Sequence, residues 1–207
     1  MRIVTVGREF SSGGRELGKR LADELGFAYY DREIITEIAK RTELDENYIA
    51  SRAEQGISPE YSITFGRTFA YPSLTQQNDI KILVSERRII NDIAQLGKDF
   101  VIVGRSSDVI LRDYKPFNLF VYADMKSRIK RCRERLGENE QMSDKQIEKK
   151  IKQIDSGRAR HREFISNGQW GAKECYNMCI NTSDTVIKEI VPFVADIAKC
   201  WFERNSK

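Results

Sequence analysis

Between the apolar run Ile3-Val4-Thr5-Val6 and a leucine-spaced segment beginning at Gly14 lies the stretch Gly7-Arg8-Glu9-Phe10-Ser11-Ser12-Gly13-Gly14-Arg15-Glu16. A glycine-rich loop joining a strand to a helix gathers backbone N–H groups at the helix N-terminus and lets an anion come close, so this stretch reads as a phosphate cradle. The usual form, GxxxxGK[ST], sends a lysine to the terminal phosphates and a hydroxyl to magnesium. That lysine is missing. Gly13 and Gly14 supply the tight backbone, Ser11 or Ser12 a hydroxyl, and Arg15 or Arg8 the positive charge. The alternative is a strand-to-helix turn with no ligand.

Phosphoryl transfer asks a protein mainly to align donor and acceptor and to place positive charge around the transferred group. Arginine suits the task, because its planar guanidinium makes paired hydrogen bonds to phosphate and stays ionised. Arg105 follows the apolar run Phe100-Val101-Ile102-Val103 and Gly104, where it would clamp an acceptor phosphate. Arg131 and Arg158 belong to a basic segment, 126–162, with 13 Lys/Arg against 6 Asp/Glu, suited to closing over nucleotide phosphates. Arg133 and Arg135 read as a solvated helix face, and Lys81, Arg87 and Arg88 as minor candidates. Asp31, at the end of Phe27-Ala28-Tyr29-Tyr30, is placed to orient an acceptor or a magnesium-bound water, or simply to cap the helix that follows. The aromatic loop 61–71, with Tyr61, Phe65, Phe69 and Tyr71, would either stack on a base or pin itself to the core. Nucleic-acid binding through the basic segment is disfavoured, since no nucleic-acid motif accompanies the charge.

The elements that position these residues follow from apolar spacing. Residues 2–6 read as a buried strand ending at Gly7; Leu17, Leu21 and Leu25 share one face of a helix stopped by Gly26; 27–30 is a second strand. Helices are expected from Arg32 to about Gly56 and from about Thr75 to Leu96, stopped by Gly97. Further strands fall at 100–103, 118–122 and 178–181. Ser143 with Gln146 forms a capping box before a helix whose Ile147, Ile151 and Ile154 align, and the final helix starts near Thr185. Repeated strand–helix alternation predicts an α/β fold, a doubly wound parallel five-stranded sheet with ligands beyond the carboxyl ends of its strands.

The chain of 207 residues, 40% hydrophobic and 32% charged with net charge +4, is expected to form one domain. No apolar run approaches the roughly 18 residues of a membrane span, and the first residues are strand-like, so a cytoplasmic protein is expected. Cys132, Cys175, Cys179 and Cys200 contain no CxxC pair and read as idle thiols. The sole histidine, His161, flanked by Arg160 and Arg162, reads as part of a solvated basic face.

Several of these segments resemble the cytidylate kinase-like family in order and spacing over nearly the whole chain. They are 8–16, Tyr30-Asp31-Arg32, Val101 to Arg105, Ala123 through Arg131 (Ala-x4-Arg-x2-Arg), Asp155-Ser156-Gly157-Arg158 and Asn181-Thr182-Ser183. The resemblance implies a P-loop kinase of the nucleoside-monophosphate type using ATP and Mg2+ and moving a phosphoryl group to a CMP-like acceptor. Alternatives are a kinase of another small metabolite and a non-catalytic nucleotide-binding protein. It also implies a core of 1–31, 98–125 and 175–207, a helical acceptor-binding insert at 32–97 and a helical lid at 126–174. By ungapped counting the family's lysine falls on Gly14 and its hydroxyl residue on Glu16. Ser11, Ser12, Gly13, Gly14 and Glu16 are thus the expected ATP-binding set; Arg15, Arg131 and Arg158 the catalytic set; Asp31, Arg105 and Asp155 the acceptor-binding set; and no metal is held by protein ligands alone. Ser106 stands where the family has aspartate and Ile151 where it has arginine, which leaves the base of the acceptor open.

Overall fold

The computed structural model describes residues 1–55, 74–136, 142–166 and 168–205. Strands β1 (Ile3–Arg8), β2 (Ala28–Tyr30), β3 (Phe100–Val103), β4 (Phe117–Tyr122) and β5 (Met178–Asn181) pair in parallel throughout, in the order β2-β3-β1-β4-β5. Side chains alternate across such a sheet, and both faces must be apolar when both are covered. On one face Val4, Val6, Val101 and Val103 meet Leu17 and Leu21 of α1 (Gly14–Leu25) and Val191, Val194 and Ala198 of α8 (Ile187–Asn205). On the other, Ile3, Phe100 and Ile102 meet Ile34 and Ile38 of α2 (Glu33–Thr42), Ile49 of α3 (Glu46–Gln55) and Ile82 and Ile90 of α4 (Leu74–Gln95).

The chain leaves β1 toward the α1 face but leaves β3 toward the opposite one, into the short helix α5 (Ser107–Ile110) and Leu111. The loops after these neighbouring strands therefore diverge, and the crevice between them is the topological switch point at which such sheets bind ligands. Beyond β4 come α6 (Met125–Arg133) and α7 (Asp144–Ile165), the latter opened by the expected capping box of Ser143 and Gln146. Helix α7 packs against α3, and both contribute residues to the crevice walls.

Two boundaries differ from expectation with consequences for the site. The helix expected over 32–56 is two helices, broken where Glu43 turns left-handed (φ 57°). Strand β1 continues past Gly7 to Arg8, which pairs in register with Val121, so Arg8 is fixed by the sheet rather than carried on a loop. The aromatic loop 61–71 lies outside the described residues.

Candidate active site

The crevice opens into a cavity of about 680 Å³ at the ends of β1 and β3. Its wall carries Arg8, Arg15, Asp31, Arg105, Arg135 and Arg158 beside the backbone of residues 11–14. Arg8 is central. Its guanidinium lies against Gly104, where a Cβ would overlap it, and its stem lies over Gly14, where a Cβ would come within 2.5 Å of Arg8 Cβ. Glycine at both positions makes room for this one arginine. No carboxylate among the described residues comes within ion-pair distance of it. Burial, reinforced by the positive charges of Arg158, Arg105 and Arg15 and opposed by Asp31, holds its pKa well below the ordinary arginine value. A guanidinium keeps its proton in proteins, so an anion in the cavity relieves that cost.

The loop from Glu9 to Gly13 offers donors that suit such an anion. Ser11 (φ 61°) and Gly13 (φ 84°) are left-handed, and α1 begins without a side-chain cap, so its first amides point outward unsatisfied. Ser11 Oγ is buried with no partner among the described residues, whereas Ser12 Oγ is spent on Glu9 O at 2.9 Å. An orphaned hydroxyl, free amides and Arg8 form a donor set that fits a polyphosphate. Arg15 is half exposed and its Nε lies 2.5 Å from Asp31 Oδ2, so its charge is already shared. Among the described residues no group of metal-ligating side chains is assembled. Nucleotide-bound magnesium needs only one or two protein oxygens, and Asp31 and Ser11 are among the oxygen-bearing residues of the wall.

Three sequence-based assignments move. Glu16 does not face the cavity: one turn into α1 its carboxylate points along the helix surface to Arg20 at 2.8 Å. Arg131 acts as a strut, its guanidinium donating to the carbonyls of Thr182 (2.6 Å), Thr185 (3.3 Å) and Ser12 (3.4 Å). Asp155 is consumed in fixing the loop: it accepts from the Phe10 amide at 2.7 Å and is paired with Arg128. Arg128 is the buried hub of that arrangement, donating also to Phe10 O at 2.8 Å and to Glu9 Oε2 at 3.1 Å. Arg158 remains on the cavity wall, its Nη1 donating to Arg8 O at 2.9 Å.

His161 and Arg162 are buried, contrary to the solvated face expected of them. The reason is helix phase, which turns them inward toward acids on other elements. Arg162 pairs with Asp108, and His161 Nε2 lies 3.0 Å from Oε1 of Glu86, a residue only 1% exposed on α4. The other Glu86 oxygen is 3.4 Å from Arg105 Nη1. Burial raises the Glu86 pKa, but His161 and Arg105 outweigh it and leave the carboxyl below its usual range, hence ionised. Arg87 and Arg88, minor candidates in the sequence, are exposed, and it is Glu86 beside them that reaches the site. Arg135 is exposed, as expected, and also borders the cavity.

The description of the cytidylate kinase-like family matches residues 3–184. Among solved structures, an uncharacterized protein from Eubacterium ventriosum is similar at 23% identity and a TM-score of 0.70, covering 96% of this chain and 99% of that one. A shikimate kinase from Bacteroides thetaiotaomicron is similar at 13% identity and a TM-score of 0.58, covering 96% of this chain and 98% of that one. A shikimate kinase from Acinetobacter baumannii in complex with shikimate gives 14% identity and a TM-score of 0.54, covering 100% of this chain and 95% of that one. These likenesses establish the shared fold. No curated protein matches the chain, and no helix among the described residues is long and apolar enough to cross a membrane.

Proposed function

On the premise that the chain belongs to the cytidylate kinase-like family, we propose that it transfers the γ-phosphoryl group of ATP to a small acceptor, a nucleoside monophosphate. One observation carries this reading: Arg8, Arg15, Arg105 and Arg158 converge on a single cavity beside an uncapped helix N-terminus at the sheet's switch point. Residues 11–14 cradle the polyphosphate and Arg8 does the work of the missing lysine. Arg105, held by Glu86, and Asp31, held by Arg15, face the acceptor. Magnesium bound with the nucleotide neutralises charge on the β- and γ-phosphate oxygens. Segment 32–97 serves as the acceptor-binding insert and 126–174 as the lid, with α3 and α7 excluding water between them.

The direct test is ADP release with magnesium over a panel of nucleoside monophosphates. Turnover of none, by a protein with an intact melting transition, would sink the reading in favour of a nucleotide-binding protein without catalysis. In that assay Arg105→Ala and Arg158→Ala should each lower kcat/KM by about tenfold or more, equivalent to about 1.4 kcal/mol of transition-state stabilisation. Wild-type rates in both would refute their assignment to acceptor and lid.

A second reading, a metabolite hydroxyl as acceptor, is favoured by Ile151. The family places an arginine at this position, but here the side chain is fully buried and offers no contact to an acceptor. ATP binding with turnover of a hydroxyl compound and of no nucleotide would select it.

A further inference from the structure

The proposed transfer makes no use of Ser106, yet the chain holds this residue at a conformational cost. Gly104, Arg105 and Ser106 are successive left-handed residues, with φ of 78°, 61° and 46°. A non-glycine residue so held is strained and persists only where surrounding contacts enforce it. Here the result is a serine on the cavity wall whose Oγ lies 3.2 Å from His161 Nδ1. The opposite ring nitrogen lies 3.0 Å from Glu86 Oε1. That contact is close but out of line, so both atoms are buried without a well-aligned hydrogen bond.

In the His161 tautomer with its ring proton on Nε2, facing Glu86, Nδ1 offers its lone pair to the serine hydroxyl. Serine, imidazole and carboxylate stand in the order that activates a hydroxyl as a nucleophile, with the imidazole between the other two. The trio comes from three separate elements: α4, the turn after β3, and α7. His161 is the only histidine of the chain. A purely space-filling role for this position would not require a left-handed serine, a buried imidazole and a buried carboxylate together.

We infer that Ser106 is a phosphoryl-accepting residue, modified by ATP bound in this cavity, with His161 as its base and Glu86 as the counter-charge to the imidazolium. The inference rests on the reading that the cavity binds ATP. In the step, Ser106 Oγ forms a bond to the γ-phosphorus while the bond from that phosphorus to the β,γ-bridging oxygen breaks. ADP leaves with the bridging oxygen and its electron pair, and the hydroxyl proton passes to His161 Nδ1. Arg8 and Arg105, on the same wall, face the new phosphoserine charge. That charge occupies positive potential otherwise available to an anionic acceptor, so the modified protein binds such an acceptor more weakly.

The experiment is incubation of the full chain with magnesium and γ-labelled ATP, followed by peptide mapping by mass spectrometry, with ATP affinity measured separately by calorimetry. The expected result is label on Ser106, none there in Ser106→Ala, and labelling slowed about tenfold or more in His161→Gln at unchanged ATP affinity. Because His161 is buried, the Ser106→Ala comparison stands even where His161→Gln fails to fold. Protein that binds ATP but carries no phosphoserine at 106, or carries it on Ser107 instead, overturns the inference and leaves the kinase reading intact. Unchanged labelling in a folded His161→Gln likewise overturns the assigned base. Protein that does not bind ATP overturns both.

Discussion

Arg8→Ala is expected to lower the rate of ADP formation by about a hundredfold to a thousandfold, with little change in melting temperature. The magnitude is that of removing one preorganised donor from a site where charge develops in the transition state. Arg8 qualifies because the sheet fixes its backbone, two glycines clear space for its side chain, and no carboxylate among the described residues neutralises it. Little folding cost is expected, since the guanidinium stands among like charges from Arg158, Arg105 and Arg15, and its removal relieves repulsion. Arg8→Lys should retain part of the rate, because a lysine restores the charge but not the two-pronged geometry. Arg15→Ala should be milder: that side chain is 52% exposed and shares its charge with Asp31. Near-normal turnover in Arg8→Ala beside a crippled Arg15→Ala would reverse the two roles.

Much of the scaffold was legible in the sequence because its signals are local. Apolar runs of four to six residues marked the strands, the Leu17, Leu21 and Leu25 spacing marked α1, and the Ser143 and Gln146 pair marked the start of α7, all as observed. The break between α2 and α3 was not legible, since a left-handed Glu43 has no composition that betrays it. Nor was the full site. Gly7 reads in the sequence as a strand end, which leaves Arg8 to the loop, and only pairing with β4 extends the strand. Glu86 sits in a charged stretch of an amphipathic helix, where residue type does not tell which charge faces inward. His161 lies between two arginines that suggest solvent, yet Arg162 is itself buried against Asp108. In each case the deciding fact is a partner distant in the chain, and periodicity along one helix carries no record of it.

The same contrast explains why the largest stability effect is expected at Arg128, a residue whose neighbours in sequence are mostly basic. Arg128→Ala should destabilise the protein by about 3 kcal/mol, because removing one member of a buried ion network strands the others. The lower end of that range applies: Asp155 is 14% exposed and Glu9 25%, so water recovers part of the loss. For a chain of this length, such a change lowers the melting temperature by about 10 °C. Activity should fall further than stability alone requires, since Arg128 binds the Phe10 carbonyl while its partner Asp155 binds the Phe10 amide. These two bonds tether the loop to α6 and α7, and losing them frees the loop proposed to meet the polyphosphate. The control is a triple variant, Arg128→Met with Glu9→Gln and Asp155→Asn, which removes the stranded charges while filling the volume. It should recover most of the melting temperature but not the rate, because the neutral amide at 155 no longer draws the Phe10 amide as a carboxylate does. Equal recovery of both would mean that Arg128 serves folding alone and that the loop holds its shape without its ties to α6 and α7.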